Sequence, residues 1–238
     1  MGAPIRRTRS PRGSGELLAD EIIAAASVLL RTAQDPAAVS IRAVASRVGV
    51  TPPSIYLHFA DKEALLDAVC AAWFEDLDDR LAAAAAGIDD PLERALQQGM
   101  AYVRFAIDNP ALYRQAFHGI TAAETAKVDE VLAASAFVRF TATVTELAET
   151  GFFAADEVAG IVLELWSAAH GIASLMIAKP LLSWGDAGER AESMLRSVCL
   201  GRAVLGVTGC REPDEVRRFL DDVARRTTPE PPRMVKKR

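Results

Sequence analysis

The sequence predicts an all-α fold: an N-terminal three-helix unit followed by a larger helical domain. Three observations predict it. Between successive turn signals, apolar residues return at three- and four-residue spacing, the period of a helix with one buried side. Helix-start chemistry recurs at Ser40, Thr51, Asp61 and Asp90-Pro91. Half of the 238 residues are hydrophobic, ample material for one large or two small domains.

Residues 15–34 set Leu18, Ile22, Ala25, Ala26, Leu29 and Leu30 on one face, an amphipathic helix that stops at Asp35-Pro36 and can roof the next two. Ser40 then caps a helix over 41–48, whose Ile41, Val44, Ala45 and Val48 share an apolar face. Gly49 ends it, because a residue at ease with positive φ lets the chain reverse. Thr51 caps a second short helix that begins Pro52-Pro53, tolerated because first-turn amides lack intrahelical partners anyway. Ile55 and Phe59 point inward. Thr51, Pro52, Pro53, Ser54, Tyr56 and His58 are left facing out. A capped helix, a glycine turn and a capped short helix are the layout of a helix-turn-helix, whose second helix reads base edges in a DNA major groove.

Asp61 caps a long helix to about residue 86, with Leu65, Val69, Ala72, Trp73 and Leu77 along a stripe. It starts at the small unit and ends in the larger one. Asp90, Pro91 and Glu93 supply an acidic cap, a first-position proline and a third-position carboxylate for the next helix, with a stripe of Leu92, Leu96, Gly99, Val103 and Ile107. Asn109-Pro110 opens a shorter helix through Phe117. From about 122 to 150 apolar residues occupy more than one face, as a surrounded helix requires, and Gly151 stops it. Residues 156–178 are apolar nearly all round, 186–207 carry Ala191, Met194, Leu195, Val198 and Leu205 at helical spacing, and 213–226 form a last surface helix. The expected division is a disordered basic arm (1–14), a helix-turn-helix domain (15–61), a larger helical domain (62–211), and a surface helix with a disordered basic tail (212–238).

The stretch from about residue 18 to 66 resembles the DNA-binding domain of the TetR family of bacterial one-component repressors. The resemblance rests on Ile41-Arg42-Ala43-Val44-Ala45, Gly49-Val50-Thr51, Tyr56-Leu57-His58-Phe59 and Asp61-Lys62-Glu63-Ala64-Leu65. Where the family usually has a glycine, this chain has Asp35-Pro36. Trp166, His170 and Gly171 further resemble the Trp-His-Gly signature of one C-terminal subclass. The resemblance implies a homodimer held by two helices from each copy, a double-stranded DNA operator and a small-molecule effector bound in the larger domain.

Composition narrows the alternatives. A net charge of −5 argues against nucleic-acid or membrane binding over the whole surface, so basic character must be local, as at Arg6, Arg7, Arg9 and Arg12. No apolar run of about 18 residues lacks a charge or a helix breaker, so neither a signal peptide nor a spanning segment is expected. Cys70, Cys199 and Cys210 form no CxxC pair, and an odd count suits free thiols in a reducing cytoplasm. Adjacent acids such as Asp78/Asp79, Asp89/Asp90 and Asp221/Asp222 diverge by about 100° on a helix. His58, His118 and His170 lack metal-site spacing, and no phosphate-binding loop or nucleophile elbow occurs. No metal, cofactor or enzymatic activity is therefore expected. A helical adaptor that binds only protein, and more remotely a small-molecule enzyme, stand as alternatives.

Roles follow for named residues. Ser40 and Arg42 begin the helix that crosses the DNA backbone. Pro52 and Pro53 offer apolar surface to thymine methyls, and Thr51 and Ser54 bond phosphate or base edges. Tyr56, His58 and Lys62 face phosphate. Trp73, Met100, Phe105, Tyr113, Phe117, Phe137, Phe140, Trp166 and His170 are the expected lining of an apolar effector cavity. Ile161, Leu165, Ile172, Met176, Met194, Leu195, Val198 and Leu205 are the expected dimer contacts.

Overall fold

The computed structural model describes residues 15–33, 39–117, 136–209 and 212–227, and the described residues form helices and their connections with no strand. In chain order the helices are α1 (Gly15–Ala33), α2 (Ile41–Val48), α3 (Pro52–Tyr56), α4 (Lys62–Ala85), α5 (Pro91–Asp108), α6 (Pro110–Phe117), α7 (Ala136–Glu149), α8 (Val158–Ala178), α9 (Ala187–Thr208) and α10 (Pro213–Thr227), with a 3₁₀ turn at Ala155–Glu157. Pro36, His118, Cys210, the N-terminal arginines and the C-terminal tail lie outside the described residues.

Capping residues set these boundaries. The Ala43 amide donates to Ser40 Oγ (3.2 Å), Ala64 to Asp61 Oδ1 (2.7 Å), Leu92 to Asp90 Oδ1 (2.9 Å) and Glu189 to Asp186 Oδ1 (2.8 Å), each using an amide the helix leaves without a partner. Gly49 closes α2 at φ 79°, and its N–H donates to Ala45 O (2.9 Å). Thr51 behaves differently from a simple cap. Its hydroxyl bonds no amide, because the first two positions are prolines and the Ser54 N–H already donates to Thr51 O (2.9 Å).

The long α4 is the axis of the molecule: α1 packs on its first half, and α5, α6 and α7 pack along the rest. In turn, α5 is surrounded by α4, α6, α7, α8 and α9. This corrects the single stripe expected for α5. Ala95, Gln98, Met100, Tyr102 and Ala106 are buried beside Leu96 and Val103, whereas Ile107 is 36% exposed, since an enclosed helix needs buried residues on several faces. One continuous buried cluster runs from Ile22, Val44 and Ile55 through Val69 and Phe74 to Tyr113, Ile172 and Met176. The small unit and the body are thus welded through α4 and α6.

A second cluster joins Val144, Leu147, Phe153, Ile161 and Leu165 beneath α7 and α8. Ion pairs fasten its edges: Arg139 grips both carboxylate oxygens of Asp78 at 2.9 Å, and Arg202 pairs with Glu157 and, at 3.0 Å, with Glu164. The Arg139 guanidinium holds the Asp78 carboxyl below its ordinary range. Residues 155–178 are long and apolar enough to cross a bilayer by length and composition, although Glu164, Gly160 and Gly171 interrupt the run. Within the fold this segment buries Ile161, Val162, Leu165, Ala169, Ile172, Ala173 and Met176 against its neighbours, the other reading of such a helix.

Candidate nucleic-acid interface and effector cavity

The nine residues expected at DNA fall within residues 40–62, and none of them is buried. Ser40, Arg42, Thr51, Pro53 and Tyr56 are exposed, while Pro52, Ser54, His58 and Lys62 keep part of their surface. Thr51 Oγ1 and Ser54 Oγ lie 2.9 Å apart, so two hydroxyls at the start of α3 form one polar unit. Tyr56 is 54% exposed and Leu57, which sequence reasoning passed over, 84% exposed. Beneath them Ile55 is 0% exposed and anchors α3 to the unit's core. A five-residue helix with two prolines has too few internal hydrogen bonds to persist by itself, so this packing holds its outer rim in place.

In the body, α4, α5, α7, α8 and α9 line a partly open cavity of about 90 Å³. On a scale where roughly 10–15 Å³ holds one water, it has room for a ring or a short chain. Of the residues expected there, Phe137, Phe140 and Trp166 line it. Trp73, Met100, Phe105, Tyr113, Phe117 and His170 do not. Apart from Met100, buried in the adjoining core, they form an aromatic lattice beside the cavity: Trp73 stacks on Phe105 (5.1 Å, 29°), and Phe117 meets Trp73, Phe74 and His170 edge-on at 6.1, 5.8 and 4.7 Å. Leu77, Gln98, Tyr102 and Cys199 line the cavity and were missed. Aromaticity was the signal followed, and a partly filled core differs from a solid one by volume, which no residue type encodes.

Tyr102 connects the two regions. Its hydroxyl and that of Tyr113 both lie at hydrogen-bond distance from His170 Nδ1, at 2.9 and 3.0 Å. Burial pushes the Tyr102 phenol well above its ordinary pKa and that of Tyr113 up to about 12, so both stay protonated throughout the working range. The two hydroxyls thus converge on the His170 ring, and that of Tyr113 also lies 3.3 Å from Nε2 and from the His170 carbonyl oxygen. Tyr102→Phe and Tyr113→Phe are each expected to cost about 1 kcal/mol. Because both hydroxyls belong to one network, their losses should not add in a denaturant double-mutant cycle, and simple additivity would refute the coupling.

The dimer residues divide. Ile161, Leu165, Ile172, Met176 and Leu195 face the chain's own core at 9% exposure or less and so offer little surface to a partner. On a helix apolar all round, periodicity cannot choose the outward side. Met194, Val198 and Leu205 are exposed at 36%, 37% and 45%, and Leu163, Leu175, Leu200 and Val204 join them on the surface.

With this geometry in view, the comparisons are specific. The family model described as Bacterial regulatory proteins, tetR family, matches residues 22–69, which hold α2, α3 and the start of α4. The model described as Tetracyclin repressor-like, C-terminal domain, matches residues 95–222, more than half of the chain. The chain belongs to the TetR family. An uncharacterized HTH-type transcriptional regulator of Mycobacterium tuberculosis is 33% identical over 97 residues, 41% of this chain and 48% of that protein, so the match spans about half the relative's length. Among solved structures, a Rhodococcus sp. RHA1 protein of unknown function superposes with a TM-score of 0.69 at 24% identity, covering 85% of this chain and all of that one. The fatty acid degradation regulator FadR of Bacillus halodurans does so at 0.64 and 15%, covering 81% and 97%. RolR in complex with resorcinol does so at 0.60 and 19%, covering 85% and 97%. These structures share the TetR fold, and the matched families are regulators, not enzymes. The Trp-His-Gly subclass is a finer division than either family description draws.

Proposed function

We propose that the chain is a ligand-responsive transcriptional repressor of the cytoplasm, which binds a pseudo-palindromic operator as a homodimer and is released by a small apolar molecule. The observation that carries this reading is the exposed rim of Thr51, Ser54 and Tyr56 on a helix-turn-helix whose core continues unbroken to the cavity-bearing body. Residues 15–61 are the reading domain and 62–211 the sensing and dimerising one. Support for the dimer comes from the apolar outer faces of α8 and α9. Gly160 and Gly201 lie inside those helices where an added Cβ would meet nothing within 4 Å, so packing within the chain does not account for them. A glycine there costs about 0.5–1 kcal/mol against alanine, and close approach of another helix gives it a purpose.

Support for switching comes from α6. It carries Tyr113, bonded to His170 beside the cavity, and it packs on both α1 and α4. A ligand that displaces Tyr102 or Trp166 has a short packed route to the reading unit. Two copies present their α3 helices about 34–36 Å apart when the spacing matches one turn of DNA. Inverting a 99:1 preference between spacings requires about 5.5 kcal/mol of differential ligand affinity. RolR, similar in fold, holds resorcinol, in keeping with a small effector here.

The test is binding to a duplex from the gene's own upstream region. Affinity should be sequence-selective and fall steeply with salt, and Lys62→Ala should flatten the slope of log K against log salt by about one. Ser54→Ala should instead change preference at particular base pairs. Binding with no sequence preference sinks the reading, and an unchanged slope for Lys62→Ala removes that residue from the interface.

A further inference from the structure

The cavity lining is apolar except at a few atoms, and one of them has no partner among the described residues. Gln98, on α5, is 2% exposed and lines the cavity, and its Oε1 is buried without a hydrogen-bond partner among the described residues. Buried amide oxygens are otherwise almost always paired, because losing water without a replacement partner is unfavourable. An apolar side chain of the same size at this position would avoid that cost. The indole N–H of Trp166, also at the cavity, is likewise buried without a partner in bonding geometry, although it lies near enough to the Tyr102 hydroxyl to influence it.

The remaining polar groups define what is not recognised. Arg196 reaches the cavity from α9, but its guanidinium is engaged by Glu192 at 2.9 Å and Glu93 at 3.4 Å. Burial pushes the Cys199 thiol up to about 11, so it lines the cavity as a neutral group. Among the described residues, no Asp, Glu or Lys lines the cavity. An ionised ligand would therefore leave water for a lining with no counter-charge to spare.

We infer that the cavity takes a neutral, largely apolar molecule bearing a hydroxyl, an alcohol or a phenol, whose O–H donates to Gln98 Oε1. This deepens the effector role proposed above and rests on it. The rest of the ligand is held by Leu77, Phe137 and Phe140 without directional bonds. Gln98 thus sets specificity by rejecting ligands that leave its oxygen unpaired, a discrimination that apolar packing alone cannot supply.

The experiment titrates the full chain with three probes of similar size: p-cresol, its methyl ether 4-methylanisole, and toluene. They differ in having a donor, an acceptor only, and neither. By calorimetry, p-cresol is expected to bind at least about tenfold tighter than the other two. In Gln98→Leu and, as an unbranched second variant, Gln98→Met, that preference should fall to within about threefold while toluene binds as before. A merely structural Gln98 would weaken all three probes together. The inference is overturned if wild-type protein binds p-cresol no tighter than 4-methylanisole, if the preference survives both variants, or if no probe binds. Equal binding of all three removes the Gln98 assignment and leaves a ligand cavity standing, whereas no binding of any removes both.

Discussion

Phe74→Ala is expected to lower stability by about 3–5 kcal/mol and the melting temperature by roughly 10 °C. Phe74 is 0% exposed at the middle of α4, where the helix leaves the small unit and enters the body. Its ring meets Trp73 at 4.9 Å and Phe117 at 5.8 Å, both edge to face. Truncation removes the transfer free energy of a whole ring and adds a cavity whose cost depends on how far the surroundings collapse. Here they cannot collapse far. The neighbours are planar rings fixed by one another, Trp73 on Phe105 at 5.1 Å and Tyr113 on Phe117 at 4.9 Å, so closing the void means breaking contacts elsewhere. Thermal or urea unfolding measures the loss. A change below about 1 kcal/mol would mean that the lattice reorganises freely, and with it would go the account of α6 as a firm link between cavity and reading unit.

That lattice also marks where the sequence stops being sufficient. The helices were legible because their signals are local: Ser40, Asp61, Asp90 and Asp186 each cap the helix that follows them, and Gly49 and Gly151 take the positive φ that ends one. Ile55 was legible as an anchor because a five-residue helix has few places to bury. Which face of α8 meets solvent was not legible, since Ile161, Leu163, Leu165 and Leu175 are chemically equivalent and only the positions of α5 and α9 distinguish them. The cavity was hidden for a related reason. Trp73 and Phe137 look alike as aromatic residues, yet the first is enclosed by four rings and the second borders empty space, a difference made by tertiary placement. Gln98 did leave a trace, a polar residue at helical spacing from Ala95 and Tyr102, but on a helix read as having one buried stripe it passed for solvent-facing.

Ile55→Ala is expected to weaken operator binding by roughly 30-fold or more while leaving ligand binding in the body within about twofold. The helix it anchors, α3, has five residues, and two of them are prolines that contribute no amide donor. Its conformation is therefore held from below, by a side chain 0% exposed where α3 packs on α2 within the unit's core. Replacing a buried isoleucine by alanine typically costs about 2–5 kcal/mol. Where that loss exceeds the docking free energy of α3 by about 2 kcal/mol, the docked fraction falls to roughly one in 30, and apparent affinity falls with the competent fraction. Global unfolding is not needed for this loss, because the deep contacts of α4, α5 and α8 lie elsewhere. The discriminating measurement is hydrogen exchange: the amides of Ser54, His58 and Phe59, which donate to Thr51 O, Ile55 O and Ile55 O at 2.9–3.0 Å, should lose protection while those of α5 keep theirs. Operator affinity within twofold of wild type, with α3 amides still protected, would mean that the short helix is held by something other than its buried isoleucine.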